Sequence, residues 1–198
     1  MPNPHYIKAV TFDAGGTLFE PYPSVGHVYA EVAARQGLEC GPDKLNAGFL
    51  RGWRERTSFD YSKPAWLSVV QSAFGPSHPV SDDLFEQIYH EFNESRHWHV
   101  FKDVRPTLET LRDHGIRMAV LSNWDDRLPQ LISTLGLESF FEFVLYSGAI
   151  GHHKPSLEIF RSAQSRLSLT PSQILHVGDS IREDGEGASN AGWHSLII

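Results

Sequence analysis

Only one cysteine, Cys40, occurs in 198 residues. An intrachain disulfide and a zinc site of several cysteines are therefore both excluded. No run approaches the roughly 18 apolar residues of a membrane-spanning helix, so no membrane partner is expected. Positive charge is also scarce: 17 Lys and Arg against 24 Asp and Glu give a formal net charge of −7. Such a balance argues against nucleic acid as a partner. The opening MPNPHYIKAV has no basic stretch followed by a long apolar one. No secretory signal is expected, and the reading is cytoplasmic. Repeats and low-complexity tracts are missing, and the eleven histidines are scattered, with no HExxH-type spacing.

What is present is ordinary globular material, 40% hydrophobic and 21% charged. The length suffices for one α/β core plus an insertion. Ile7–Phe12 (IKAVTF) reads as a buried strand stopped by Asp13 and Gly15–Gly16. From about Ser24 to Trp98 helical patterns replace strand signals. Ser24–Gln36, Pro42–Trp53, Pro64–Phe74 and Ser81–Phe92 are expected helices, the last with Ser81 as N-cap and Asp82 and Asp83 in its first turn. Beyond that, helix and strand alternate. Val104–His114 is a helix closed by Gly115, Arg117–Ser122 a strand, Arg127–Leu135 a helix stopped by Gly136, and Phe143–Tyr146 a strand. Pro155–Leu167 follows as a helix with Pro155 at its first position, then strand Ile174–Val177, short helix Asp184–Ala191 and strand Ser195–Ile198. Alternating apolar strands and helices imply a parallel sheet covered by helices.

In open α/β sheets, ligands gather beyond the carboxyl ends of the strands. The residues there are Asp13-Ala14-Gly15-Gly16-Thr17, Ser122-Asn123, Lys154-Pro155 on a longer loop, and Gly178-Asp179-Ser180 followed by Asp184. Several acids, a hydroxyl and a lysine thus converge on one rim. Converging acids repel one another and call for a cation. Carboxylate oxygens with few other donors suit Mg²⁺, which keeps waters and accepts an anionic substrate.

FDAGGTLF, LSN, KP and GDSIREDGEGASNAG, in that order, resemble the four signature motifs of the haloacid dehalogenase-like (HAD) hydrolase superfamily. The resemblance spans the chain. It implies a Rossmann-like, doubly wound parallel-sheet core over residues 1–18 and 100–198, with residues 19–99 forming a helical C1-type cap. It implies Asp13 as the nucleophile that forms an aspartyl-phosphate, and Lys154 as the cation that neutralises nucleophile and phosphoryl charge. Ser122, Asn123 and Thr17 are the implied substrate-binding residues. Asp13, the Gly15 carbonyl, Asp179 and Asp184 are the implied Mg²⁺ ligands, Asp184 directly or through water. The expected substrate is a small phosphorylated metabolite.

One position departs from the pattern. Phosphatases of the family usually carry a second acid two residues after the nucleophile, to protonate the leaving group and activate water; here Gly15 stands there. Loss of such a group is typically worth about 10²–10⁴-fold. It should weigh most on alkyl phosphates and least on acyl or aryl phosphates, whose leaving groups need no proton. His152, His153, Asp125, His27 and His97 are candidate substitutes. A catalytically impaired phosphate- or protein-binding protein is the alternative. Dehalogenation is a lesser one, because the fourth motif carries Asp179 where the dehalogenase branch has Ser. Phosphonate cleavage needs a cap lysine, and only Lys44 and Lys63 are on offer. The insertion is rich in aromatics, and Arg51, Arg54 and Arg56 are read as lying on one helix, where a guanidinium facing the rim could hold an acidic substrate. The fifth strand signal ends the sequence, leaving part of one sheet face less covered; monomer and homodimer are both expected possibilities.

Overall fold

The computed structural model describes residues 7–56 and 59–198. In chain order its strands are β1 (Ala9–Phe12), β2 (Phe19–Pro21), β3 (Trp98–Val100), β4 (Arg117–Ser122), β5 (Val144–Tyr146), β6 (Ile174–Gly178) and β7 (His194–Ile197). Its α-helices are α1 (Val25–Arg35), α2 (Pro42–Glu55), α3 (Lys63–Phe74), α4 (Asp82–Glu91), α5 (Val104–Asp113), α6 (Leu128–Thr134), α7 (Ser147–Ile150), α8 (Leu157–Leu167) and α9 (Gly187–Asn190). The chain divides into two compact units, residues 1–19 with 100–198, and residues 20–99. The ribbon of β2 with β3 contains both points where the chain passes from one unit to the other.

The first unit is built on a parallel five-stranded sheet in the order β5-β4-β1-β6-β7. β1 and β4 are wholly or almost wholly buried, as expected of strands covered on both faces. From β1 the chain winds outward through β4 and β5, then returns to the other side of β1 for β6 and β7. That reversal sets the carboxyl ends of β1 and β6 side by side at the switch point of the sheet, the place where doubly wound folds take their ligands. The core beneath it includes Ala9, Leu121, Ile159, Phe160, Leu167, Ile174 and Trp193. Two polar residues interrupt these apolar strands in register: Thr11 of β1 lies beside His176 of β6.

Local chemistry explains most element ends. Gly115, at φ 69°, and Gly136, at φ 66°, close α5 and α6 in the left-handed region that favours glycine. Pro155 does not open a helix: Ser156 is the N-cap and α8 starts at Leu157. The expected helix Asp184–Ala191 is instead a π-helical turn, Ile181–Glu186, followed by α9. α7, β2 and β3 were not expected; at three or four residues each they are too short to show a periodicity.

Among the described residues, the second unit holds four α-helices around Tyr29, Val32, Leu45, Val70, Phe74, Leu84, Phe85 and Ile88. Ser24, Ser62 and Ser81 cap α1, α3 and α4, each accepting a backbone N–H with its hydroxyl. Glu91, nearly buried, accepts from Arg35 at 2.7 Å, from Arg96, and from His97 Nε2 at 2.8 Å. This ties α1, α4 and the following turn together. Arg56 lies over the Trp53 ring with its guanidinium carbon 3.4 Å from the centroid, and Arg51 donates to the Ser72 carbonyl. Two of the three arginines are thus engaged within this unit. Lys63 is ion-paired with Glu86 at 2.6 Å, which does not suit a Schiff-base lysine.

Candidate active site

The carboxyl ends of β1 and β6, with the loop before α8, bring the central group together. Asp13 follows β1 directly, its N–H donating to the Val177 carbonyl at 2.8 Å. Lys154, 1% exposed, donates to Asp13 Oδ1 at 2.7 Å and to Asp184 Oδ1 at 2.5 Å. Asp184, also 1% exposed, stands in the π-helical turn and accepts the Ser180 N–H on its other oxygen. Asp179 joins them: Asp13, Asp179 and Asp184 each offer an oxygen, all within 4.8 Å of one another. Two glycines make this density possible. A Cβ on Gly16, which sits at φ 81°, would stand 2.6 Å from Asp179 Oδ2, and one on Gly178 would overlap the Asp184 carboxyl.

The charges are strongly coupled. Burial works to lower the Lys154 ammonium, but the Asp13 and Asp184 carboxylates outweigh it and hold the group above its ordinary value. Burial likewise works to raise Asp184. The His176 hydrogen bond and the Lys154 charge win, and hold Asp184 far below the usual carboxylate range. Asp179 moves the other way: loss of solvent at its carboxyl comes first, then repulsion from Asp13 and Asp184. One ammonium therefore does not balance three acids. The donor set is all hard oxygen, with one acid held against its neighbours' charge, and this fits a divalent cation.

Asn123 has a supporting place here. Its side-chain oxygen accepts the Lys154 N–H at 2.6 Å, and its amide donates to the Lys154 carbonyl at 3.0 Å and to Glu183 at 2.9 Å. It clamps the backbone that carries the buried lysine. Ser122, 1% exposed, ends β4 beside β1. Thr17 is 4% exposed, and its hydroxyl is buried without a hydrogen-bond partner among the described residues. Gly15 packs against the indole of Trp124.

Sequence reading missed His176, Thr11, Glu183 and Trp124. His176 Nε2 donates to Asp184 at 2.9 Å, and its Nδ1 lies 2.8 Å from the Thr11 hydroxyl. Burial lowers the imidazole, and the Asp184 hydrogen bond opposes this only in part. The signal available was two polar residues inside apolar strands, Thr11 in AVTF and His176 in ILHVG. Of the candidate substitute acids, Asp125 is buried and engaged bidentately by Arg127, at 2.8 and 2.6 Å, so it serves a structural pair. His97 is bound to Glu91, and the exposed His27 lies 2.9 Å from the Ser24 hydroxyl. His152 and His153 are exposed on the loop before Lys154.

Comparisons with known proteins bear on this arrangement. A family model described as haloacid dehalogenase-like hydrolase matches residues 7–192. The Homo sapiens protein named haloacid dehalogenase-like hydrolase domain-containing protein 3 is 34% identical over 206 residues, covering 97% of this chain and 82% of that one. A glyceraldehyde 3-phosphate phosphatase from Methanopyrus kandleri is 30% identical over 209 residues, covering 97% and 84%. Among solved structures, a HAD phosphatase from Thermococcus onnurineus matches with a TM-score of 0.68 at 26% identity, over 96% of this chain and 86% of that one.

Proposed function

Because this chain belongs to the haloacid dehalogenase-like hydrolases, we propose that it is a Mg²⁺-dependent phosphatase of a small phosphorylated metabolite, working through an aspartyl-phosphate on Asp13. The observation that carries the reading is the buried Lys154 ammonium against Asp13, with Asp179 and Asp184 alongside.

In this reading Asp13 attacks phosphorus with one carboxylate oxygen. Lys154, fixed by Asn123 and Asp184, orients that carboxylate and neutralises charge as it moves onto the phosphoryl oxygens. Ser122, the Asn123 N–H and the Thr17 hydroxyl are assigned to those oxygens. Asp13, Asp179, Asp184 and the Gly15 carbonyl would hold Mg²⁺, which when bound supplies positive charge to the transferring group. Asp184 already accepts Lys154, His176 and the Ser180 N–H, so it serves first as the anchor of the lysine. Residues 20–99 are assigned the role of a C1-type cap. Glyceraldehyde 3-phosphate, the substrate in the name of one relative, belongs to the class of small phosphate esters worth testing first.

Carbon–halogen cleavage is less favoured, since the cluster of Asp13, Asp179 and Asp184 asks for a cation that such a displacement does not use. A phosphorylated-metabolite panel with and without Mg²⁺ is the test. Turnover that requires Mg²⁺ and vanishes in Asp13→Asn supports the reading. Phosphate binding with no turnover would turn it into the non-catalytic alternative.

A further inference from the structure

The position that sets this chain apart, Gly15, is not an empty place beside the nucleophile. A Cβ built on Gly15 would lie 3.0 Å from Cζ3 of Trp124 and 3.6 Å from Cη2. The first distance is inside ordinary carbon–carbon contact, about 3.5–4.0 Å. Any side chain at residue 15 would start against the benzo edge of the indole, so the ring must give way by a few tenths of an ångström to admit one.

The ring is held there from several sides. Trp124 N–H donates to the Ser147 hydroxyl at 3.0 Å, while that hydroxyl and the Gly148 N–H donate to the Trp124 carbonyl, each at 2.9 Å. The first turn of α7 thus pins the backbone. On the ring side, Phe19, fully buried, meets the indole edge to face at 5.9 Å between centroids. The residue follows Ser122-Asn123 directly, so the element that brings the clamp on Lys154 also brings the indole to Gly15.

We propose that Trp124 determines which leaving groups the site accepts. The inference rests on the phosphatase reading above and narrows its substrate class to acyl and aryl phosphates. With an apolar ring edge where the general acid would stand, no side chain at residue 15 gives the leaving oxygen a proton. Asp13 Oδ bonds to phosphorus, the bond from phosphorus to the leaving oxygen breaks, and its electron pair stays on that oxygen. The group departs as a carboxylate or aryloxide, whereas an alkoxide is too basic to leave this way. In the second step, water bonds to phosphorus, the Asp13–phosphorus bond breaks with its electron pair returning to the carboxylate, and both water protons remain on the phosphate product.

The test compares the full chain with Gly15→Asp, Trp124→Ala and their double variant. Initial rates are measured with Mg²⁺ on acetyl phosphate, p-nitrophenyl phosphate, phenyl phosphate and ethyl phosphate, together with urea unfolding of each protein. The wild-type chain is expected to lose about 10²-fold or more in kcat/KM from p-nitrophenyl to ethyl phosphate, the scale of a missing general acid. Gly15→Asp alone gains little on ethyl phosphate and shifts the unfolding midpoint down. In the Trp124→Ala background the same substitution costs less stability and recovers about 10²-fold on ethyl phosphate. Trp124→Leu serves as a second background should Trp124→Ala fold poorly. The proposal is overturned if Gly15→Asp alone matches the double variant, or if the wild-type chain turns over ethyl phosphate as well as the aryl esters. If no protein cleaves any of the four, or Asp13→Asn keeps wild-type turnover, the phosphatase reading falls and this inference with it. The unfolding data separately show whether the indole occupies the residue-15 space.

Discussion

Replacing Lys154 with methionine removes the ammonium from between two buried acids, Asp13 and Asp184, while nearly preserving the length of the side chain. Each contact, 2.7 Å to Asp13 and 2.5 Å to Asp184, is worth about 6 kcal/mol at an effective dielectric constant of about 20. Desolvation of the ions, several kcal/mol each, offsets most of that in the wild-type chain. In Lys154→Met the attraction is gone and the carboxylates stay buried, so a loss of about 3–5 kcal/mol is expected at pH 7. Sign and pH window follow from linkage. Asp184 is held below its unfolded value, so its contribution is present above about pH 4 and is lost as pH falls through the folded value. Without the ammonium, the Asp184 carboxyl loses one of the charges that hold it down and takes up its proton at a higher pH than in the wild-type chain. The gap between the two proteins should therefore narrow as pH falls below neutral, by at most about 1.4 kcal/mol per pH unit for each proton taken up. Urea unfolding from pH 4 to 8 measures it. A variant as stable as wild type at pH 7, or a gap independent of pH, refutes the picture of an ammonium that compensates buried acids.

Two further outcomes are expected. Mg²⁺ should stabilise the wild-type chain by about 2.7 kcal/mol at a hundredfold excess over its dissociation constant, and Asp179→Asn should suppress the resulting rise in unfolding midpoint in a thermal-shift titration while leaving the Lys154 pairs intact. Gly26→Ala should destabilise the helical unit by about 1–3 kcal/mol, because the new methyl runs into the Pro42 carbonyl and the Asn46 backbone; an unchanged denaturation profile would show that α1 and α2 can separate there without cost.

The parallel core was legible because its signals are local. β4 starts and ends at the residues its apolar run marks, and Gly115 and Gly136 stop α5 and α6 through their backbone freedom. The four helices of residues 20–99 were legible through their helical spacing and, for α4, through its Ser81 cap. The π-helical turn was not, because its form follows from where Asp184 must reach: its carboxyl meets Lys154, His176 and the Ser180 N–H from different parts of the chain. In the site, Asp13 and Asp179 stand directly after strands whose ends local spacing reveals, and Lys154 stands on the loop before α8. The clamp from Asn123 to Lys154 spans 31 residues, and the Thr11–His176 pair spans 165. Such partners come from sheet order, which no local pattern specifies. The Trp124–Gly15 contact is of the same kind.

Sheet order also explains why the acids outnumber the cations. β1 and β6 are neighbours at the reversal of the sheet, so Asp13 and the Asp179–Asp184 segment must emerge side by side. Lys154 answers two of the three acids, Asp13 and Asp184, at hydrogen-bond distance. Asp179 remains, held above its ordinary value by lost solvent and by its neighbours' charge. A second lysine would add a bulky stem where Gly16 and Gly178 have already given up their side chains to let carboxylates approach. A small divalent ion needs no such room and gathers several oxygens at once. The glycines and the unbalanced acids thus point to the same occupant by independent routes, one steric and one electrostatic.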